Sequence, residues 1–260
     1  MMQDTEQLSF AVMYKMMAEI GFRRHFHLGG WEATTQLLQL CHLNEHKYVL
    51  DVGCASGKTA CYVASQYGCK VVGVDILEKM IDLANERAQR EGVRDRVSFQ
   101  QADAQYLPFE DNLFDVVIGE FITGLLDDRQ RGVRGYIRVA KPGGLVGLNE
   151  ATWLKTPVPE DIVEYLAATF GFQGDLLNLT AEYWKGLLAD AGLRDVVART
   201  YQADALSSRS ESLKETLRVV HRIVYTYVRK PAFRKLLGAS LSMPKNLLDY
   251  FAYGIYVGTK

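Results

Sequence analysis

Between Tyr48 and Lys58 the chain reads Tyr-Val-Leu-Asp-Val-Gly-Cys-Ala-Ser-Gly-Lys. A short apolar run that breaks into closely spaced glycines ahead of a helix-compatible segment describes a buried strand delivering a ligand to a helix N-terminus. Gly53 and Gly57 permit tight turns and a close backbone approach, and Asp51 places a carboxylate beside them. Such a unit commits the chain to an α/β arrangement, provided that it recurs.

It recurs. Residues 70–74 form a second apolar run ending at Asp75, and 78–91 a helical run with Met80, Ile81, Ala84 and Ala88 on its apolar face. Residues 97–101 are a third strand, followed by Ala102-Asp103-Ala104, and 114–118 a fourth, ending at Gly119-Glu120. A helix over 129–140 stops at the breaker Lys141-Pro142-Gly143-Gly144, and 145–148 is a fifth strand ending at Asn149-Glu150. Further strands are expected at 194–201 and 253–257. This alternation implies a doubly wound, mainly parallel α/β sheet, here of seven strands. Ligands of such sheets sit beyond the carboxyl ends of the strands, near the switch in strand order. Asp51, Asp75, Asp103, Glu120 and Glu150 all fall at expected strand ends, which suggests a shared crevice.

The flanks divide the chain further. Residues 1–44 read as an N-terminal helical cap, with Leu8, Val12, Met16 and Ile20 on one face, 45–152 as the α/β core, and 153–180 as a lid-like segment. Residues 181–260 complete the sheet, with a helix over 181–191 capped by Thr180. They carry a helical insertion over about 207–249, before the last strand. That insertion sets Lys214, Arg218 and Arg222 against an apolar face, the pattern of a helix packed on the domain with a solvated charged face, with contact to a membrane surface, an anionic substrate or an acidic partner as the functional readings.

A formal net charge of -1 leaves no global footprint for nucleic acid. Asp4 and Glu6 interrupt the N-terminal apolar run, which resembles neither a signal nor a transit peptide, and no apolar stretch is long enough to span a bilayer, so a cytoplasmic location is expected. Cys41, Cys54, Cys61 and Cys69 form no C-x-x-C pair and read as reduced, buried thiols; no metal site is expected.

The glycine loop admits three ligands. Gly57-Lys58-Thr59 has the ending of a phosphate-binding loop, but the loop is one residue short, Val52 standing where its first glycine belongs. The dinucleotide pattern G-x-G-x-x-G meets Ala55 and Lys58 in place of two glycines. The third reading fits every segment. Residues 49–57 resemble the first motif of the class I S-adenosylmethionine-dependent methyltransferases, usually D-x-G-x-G-x-G. Residues 72–76 look like their second, 101–104 their third, 114–117 their fourth, and 138–144 the segment before their fifth strand. The likeness runs from Trp31 to Glu150 and departs from the pattern at Ala55, where glycine is usual. Leu107-Pro108-Phe109 and Phe114-Asp115 are similar to the branch acting on small molecules, quinone and sterol precursors among them.

The resemblance implies a Rossmann-like fold and S-adenosylmethionine as cofactor, with S-adenosylhomocysteine as product. It implies that Asp75 accepts from the ribose hydroxyls, Asp103 and the Ala104 backbone recognise adenine, and Ile76 and Met80 sandwich the ring. The backbone of Gly53, Cys54 and Gly57 would pass beside the amino acid end, with Asp51 and Glu120 near its ammonium. Methyl transfer needs a base only where the acceptor must lose a proton. Glu120 and Glu150 are the candidates for that role, or for orienting the acceptor; Tyr14 and His27 of the cap are weaker ones.

Gly119-Glu120-Phe121-Ile122 lacks the Pro-Pro segment of base-amino methyltransferases and the cysteine of RNA cytosine-C5 enzymes. Leu125-Leu126-Asp127-Asp128 lacks the second glutamate of protein arginine enzymes, and no cysteine follows Val71 as in arsenite enzymes. A small-molecule acceptor remains, apolar or aromatic on the strength of Trp153, Tyr165, Phe170, Phe172, Trp184, Tyr225 and Tyr227. A non-catalytic scaffold of the same fold and a phosphate-binding protein stay open as alternatives.

Overall fold

The structure, a computed structural model, describes residues 10–19, 27, 29–170, 174–202 and 243–260. Most of the basic insertion, including Lys214, Arg218 and Arg222, lies outside the described residues, as do Leu8 and Ile20 of the cap.

The N-terminal part supplies α1 (Phe10–Glu19) and α2 (Gly30–Leu40). The core then alternates β1 (Tyr48–Val52), α3 (Lys58–Tyr67), β2 (Lys70–Asp75), α4 (Glu78–Glu91), β3 (Val97–Gln101), β4 (Phe114–Glu120), α5 (Arg129–Val139) and β5 (Ala140–Trp153). After α6 (Glu160–Phe170) and α7 (Ala181–Asp190) come β6 (Arg194–Gln202), a single turn α8 (Leu247–Tyr250) and β7 (Phe251–Thr259). The seven strands form one sheet in the order β3-β2-β1-β4-β5-β7-β6, in which only β7 runs antiparallel to its neighbours. Strand order reverses between β1 and β4, so the crevice predicted for a doubly wound sheet opens there.

The local reasons are those of a sheet covered on both faces. β1 and β2 are buried along nearly their whole length, which is why they read as unbroken apolar runs rather than alternating ones. In α4 the buried residues Met80, Ile81, Leu83, Ala84, Arg87 and Ala88 recur at helical spacing, and Gly92 ends the helix in a left-handed conformation at φ 70°. One apolar layer packs α2 and α3 through Leu37, Leu38, Ala60 and Val63; the other packs α5, α6 and α7 through Tyr136, Ile162, Leu166 and Trp184. Thr180 caps α7 by accepting from the Tyr183 N–H. All four cysteines are free and buried.

The expected bounds of the fifth strand need correction. The Lys141-Pro142-Gly143-Gly144 breaker does not lie outside the sheet: β5 begins at Ala140 and passes through it with a register shift opposite Phe114 and Val116. At its other end β5 continues to Trp153, because β7 pairs with it as far as Trp153 and Phe251. Glu150 therefore lies inside the strand, one residue beyond the last β4 partner pair, Glu120 and Asn149. Within the segment 153–180, the described residues also pack on the domain. Ile162 and Leu166 enter the α5 and α7 layer, and the Trp153 indole N–H donates to the Leu176 carbonyl.

Candidate active site

A cavity of about 370 Å³ opens at the carboxyl ends of β1, β2 and β4. Its walls include Gly53 and Ala55 of the glycine loop, Asp75 and Ile76 after β2, and Ala102 to Gln105 after β3. Glu120, Phe121, Ile122 and Leu125 to Asp127 close it after β4, with Tyr14 from α1. Four carboxylates line it and, among the described residues, no lysine or arginine does.

Asp75 is buried and already bonded. Its Oδ1 accepts from the Leu77 N–H at 3.0 Å; its Oδ2 accepts from the Ala55 N–H at 3.0 Å and the Tyr14 hydroxyl at 2.7 Å. Burial raises its pKa, against those donors and the Ile76 N–H. The same burial, with the Asp75 charge, pushes the Tyr14 phenol far up, so Tyr14 remains a donor. Asp103 accepts from the Gln105 N–H at 2.8 Å. Ile76 is 55 % exposed at the rim, whereas Met80 is completely buried against Ala18 and Leu83. The sequence pairs them as two covers of one ring, but the structure brings only Ile76 to the cavity.

Asp51 sits deeper, 2 % exposed, with its Oδ2 lacking any partner among the described residues. Burial, then the Glu120 and Asp75 charges, holds its pKa well above the ordinary carboxylate value. A buried carboxylate oxygen with nothing to accept from is costly, which marks a place for a donor or a positive charge.

The loop between them is not a phosphate cradle. The N–H groups of Gly53 and Cys54 donate to the Val74 carbonyl, that of Ala55 to Asp75, and that of Gly57 to the Cys54 carbonyl. Lys58 holds its ammonium 5.9 Å from the centre of the Trp31 ring. Gly57 serves packing instead: at φ 70°, a Cβ there would stand 2.8 Å from Ala84 Cβ and Phe99 Cζ. Ala55 takes φ 45°, so it keeps a conformation that glycine adopts more readily.

Glu120 and Glu150 are not brought together. Adjacent residues of a strand face opposite sides of the sheet, and Glu120 pairs with Asn149, so Glu150 points to the other face. On the α2 and α3 side, Glu120 accepts from the Thr34 and Thr59 hydroxyls at 2.8 Å each and from Asn149 Nδ2 at 3.4 Å. His27 Nε2 lies 3.3 Å from it, and His27 Nδ1 lies 3.0 Å from Asn149 Nδ2. Since the Asn149 amide donates, Nδ1 is the accepting nitrogen and Nε2 carries the hydrogen toward Glu120. Glu150 is 1 % exposed on the far side and accepts from the backbone N–H groups of Ile122, Thr123 and Gly124 at 3.2, 2.7 and 3.2 Å. It lines a separate small cavity of about 20 Å³ with Phe121, Leu125, Leu179 and Phe251.

Thr34 and Gln105 carry no motif and escape a reading by motifs, while Thr59, Asn149 and the residues from Phe121 to Asp127 stand in segments whose motifs do not announce these contacts. The switch between β1 and β4 is the signal that points to the residues after β4.

Comparison with known proteins places this geometry. A family profile described as a methyltransferase domain matches residues 49–144. The 27-O-demethylrifamycin SV methyltransferase of Amycolatopsis mediterranei is 31% identical over 206 residues, covering 75% of this chain and 71% of that protein. The chain belongs to the class I S-adenosylmethionine-dependent methyltransferases. The phosphoethanolamine N-methyltransferase of Triticum aestivum is 26% identical across 99% of this methyltransferase, which spans 51% of the wheat protein. The S-adenosylmethionine-dependent methyltransferase of Thiobacillus denitrificans, solved with S-adenosyl-L-homocysteine, shares the fold at a TM-score of 0.70 and 18% identity, covering 94% of this chain and 97% of that one. The family's cofactor is S-adenosylmethionine. The site fits it: two hydroxyls, an ammonium and a sulfonium meet an acid-lined cavity and, at Asp51, a carboxylate oxygen still lacking a donor. No helix among the described residues is long and apolar enough to cross a membrane.

Proposed function

We propose that this methyltransferase acts on a small-molecule acceptor and holds its cofactor along the ends of β1, β2 and β3. Asp75 takes the ribose hydroxyls, Asp103 and the Ala104 backbone take the adenine edge, and Ile76 covers the ring. Gly53 and Cys54 pass beside the amino acid end, whose ammonium faces Asp51 and Glu120. The observation that carries this reading is the acid-lined cavity with the orphaned Asp51 oxygen behind it. In it, residues 1–44 are a cap that reaches the site through Tyr14 and His27.

When bound, S-adenosylmethionine supplies a methyl group already activated on sulfur. The chain's part is then to orient the acceptor and exclude water, and positioning of this kind supplies much of a rate enhancement. Glu120 is engaged by three helices or strands and Glu150 by three backbone amides, so neither is assigned the role of base. Phe121, Ile122, Leu125 and Leu126 give the cavity an apolar wall that meets the cofactor and, beyond it, the acceptor, which favours an apolar or aromatic compound.

Isothermal titration with S-adenosylmethionine and S-adenosylhomocysteine tests the reading. Both are expected to bind, and Asp75→Ala is expected to weaken binding by tenfold or more; a folded protein that binds neither overturns it.

A further inference from the structure

The wall after β4 begins with a strained residue. Phe121 sits at φ 60°, a region that bulky side chains avoid, and its N–H donates to the Asn149 carbonyl at 2.7 Å. The chain then makes one tight turn through Thr123 to Leu125 and returns Leu125, Leu126 and Asp127 to the cavity. A short strained loop of this sort keeps one shape only if its surroundings hold it. Here three successive N–H groups, those of Ile122, Thr123 and Gly124, converge on one carboxylate, and those bonds are charge-assisted when it is ionised. The approach is close enough that a Cβ on Gly124 would lie 3.3 Å from Glu150 Oε2.

We propose that Glu150 is a positioning residue of this methyltransferase, whose buried carboxylate grips the 122–124 backbone from the opposite face of the sheet and so fixes the Phe121 to Leu126 wall against the bound cofactor. The proposal rests on reading that cavity as the cofactor site. Glu150 touches no residue of the ribose or adenine end; it acts through the loop.

The grip depends on pH. Burial pushes the Glu150 carboxyl up to about 7, against the donors that favour its ionised form. The groups facing it are Tyr136 of α5 and Tyr256 of β7, both with phenols raised by burial and therefore neutral throughout this range. As pH rises through about 7 the carboxylate forms and the three amides are held more tightly.

Amide hydrogen exchange of the full chain, corrected for intrinsic rates, reads the grip directly. Protection of the Ile122, Thr123 and Gly124 amides is expected to rise about tenfold between pH 5.5 and pH 8.5, while β1 amides stay level. Glu150→Gln, which keeps the size but loses the charge, is expected to abolish that rise and to weaken S-adenosylhomocysteine binding at pH 8.5 threefold or more. Gly124→Ala, which crowds the carboxylate without removing it, is expected to lower the same protection. The proposal is overturned if Glu150→Gln leaves loop protection at the wild-type level, or leaves affinity unchanged at every pH. Absence of S-adenosylhomocysteine binding by the wild type would instead overturn the cofactor reading, and the exchange data would still judge the grip. Asp51 and Asp75 also carry raised pKa values, so the comparison with Glu150→Gln at each pH isolates the Glu150 contribution.

Discussion

Glu120 and Glu150 end up one residue apart in register across β4 and β5, yet they work on opposite faces of the sheet and by different means. Glu120 is satisfied by side chains: Thr34 of α2, Thr59 of α3, Asn149 of β5 and His27 of the cap converge on it. Glu150 is held chiefly by main chain, the N–H groups of Ile122, Thr123 and Gly124. The first therefore ties the N-terminal segment and two helices to the sheet, while the second shapes one loop. A third case sharpens the contrast, because Asp51 is about as buried as Glu150 but has an oxygen left over among the described residues. What a carboxylate does at a strand end is set by its face and by its unmet bonding capacity, not by its being there.

The largest effect should come from breaking the side-chain node. Glu120→Ala leaves two hydroxyls, an amide and an imidazole without this acceptor at the wall of the cavity, at a cost of about 2 kcal/mol. Urea unfolding measures it. A loss under about 1 kcal/mol would mean that the donors find other partners, and that Glu120 does not tie the cap to the sheet.

Glu150 should instead show itself through pH. Its carboxyl is raised from the ordinary 4.5 to about 7, so between those values the folded chain keeps a proton that the unfolded chain has released. Stability contributed by that proton is full below pH 4.5, falls as pH rises toward 7 and is lost above it. The slope approaches about 1.4 kcal/mol per pH unit, and Glu150→Gln should flatten it. Stability thus falls on the way up to about pH 7, while loop grip rises through it. Equal slopes for wild type and variant would assign the raised pKa to some other group.

How much of this was legible from residues alone differs between the two halves of the site. The β1 to β3 ends announce themselves, because Val-Leu-Asp-Val-Gly and Val-Val-Gly-Val-Asp are buried strands that run straight into their functional turns. The β4 and β5 side does not. Glu150 faces away from the crevice because of a one-residue register difference and because pairing with β7 lengthens β5, and neither is written in the residues around it. Tyr14 bonds Asp75 across 61 positions of sequence, and the Thr34 and Thr59 contacts to Glu120 span 86 and 61. Isolated hydroxyls on helices give no pattern that could reveal such contacts.

Tyr14 offers a smaller test of the unmet-capacity idea. A carboxylate has about four acceptor positions, and three at Asp75 are taken, so a bidentate ribose diol must displace the Tyr14 hydroxyl. Tyr14→Phe is therefore expected to tighten S-adenosylhomocysteine binding about threefold, roughly 0.6 kcal/mol, while lowering the melting temperature of the free protein. Weaker binding in titration would show that Tyr14 contacts the cofactor rather than competing with it.

The smallest effect belongs to Ala55, the departure from the family's glycine pattern. At φ 45° its Cβ costs about 1–2 kcal/mol in a left-handed conformation. Glycine removes that strain but adds freedom to the unfolded chain, which takes back about 0.4–1 kcal/mol. Ala55→Gly should accordingly stabilise the protein by about 0.5 kcal/mol net, and leave the Ala55 N–H bond to Asp75 in place. Cofactor affinity should then stay within about twofold of wild type, since the loop already has the glycine conformation. A larger gain in affinity would mean that the alanine methyl, which lines the cavity, stands in the cofactor's way. In that event the half of the site most readable from its motif would be the half whose one irregular residue limits binding.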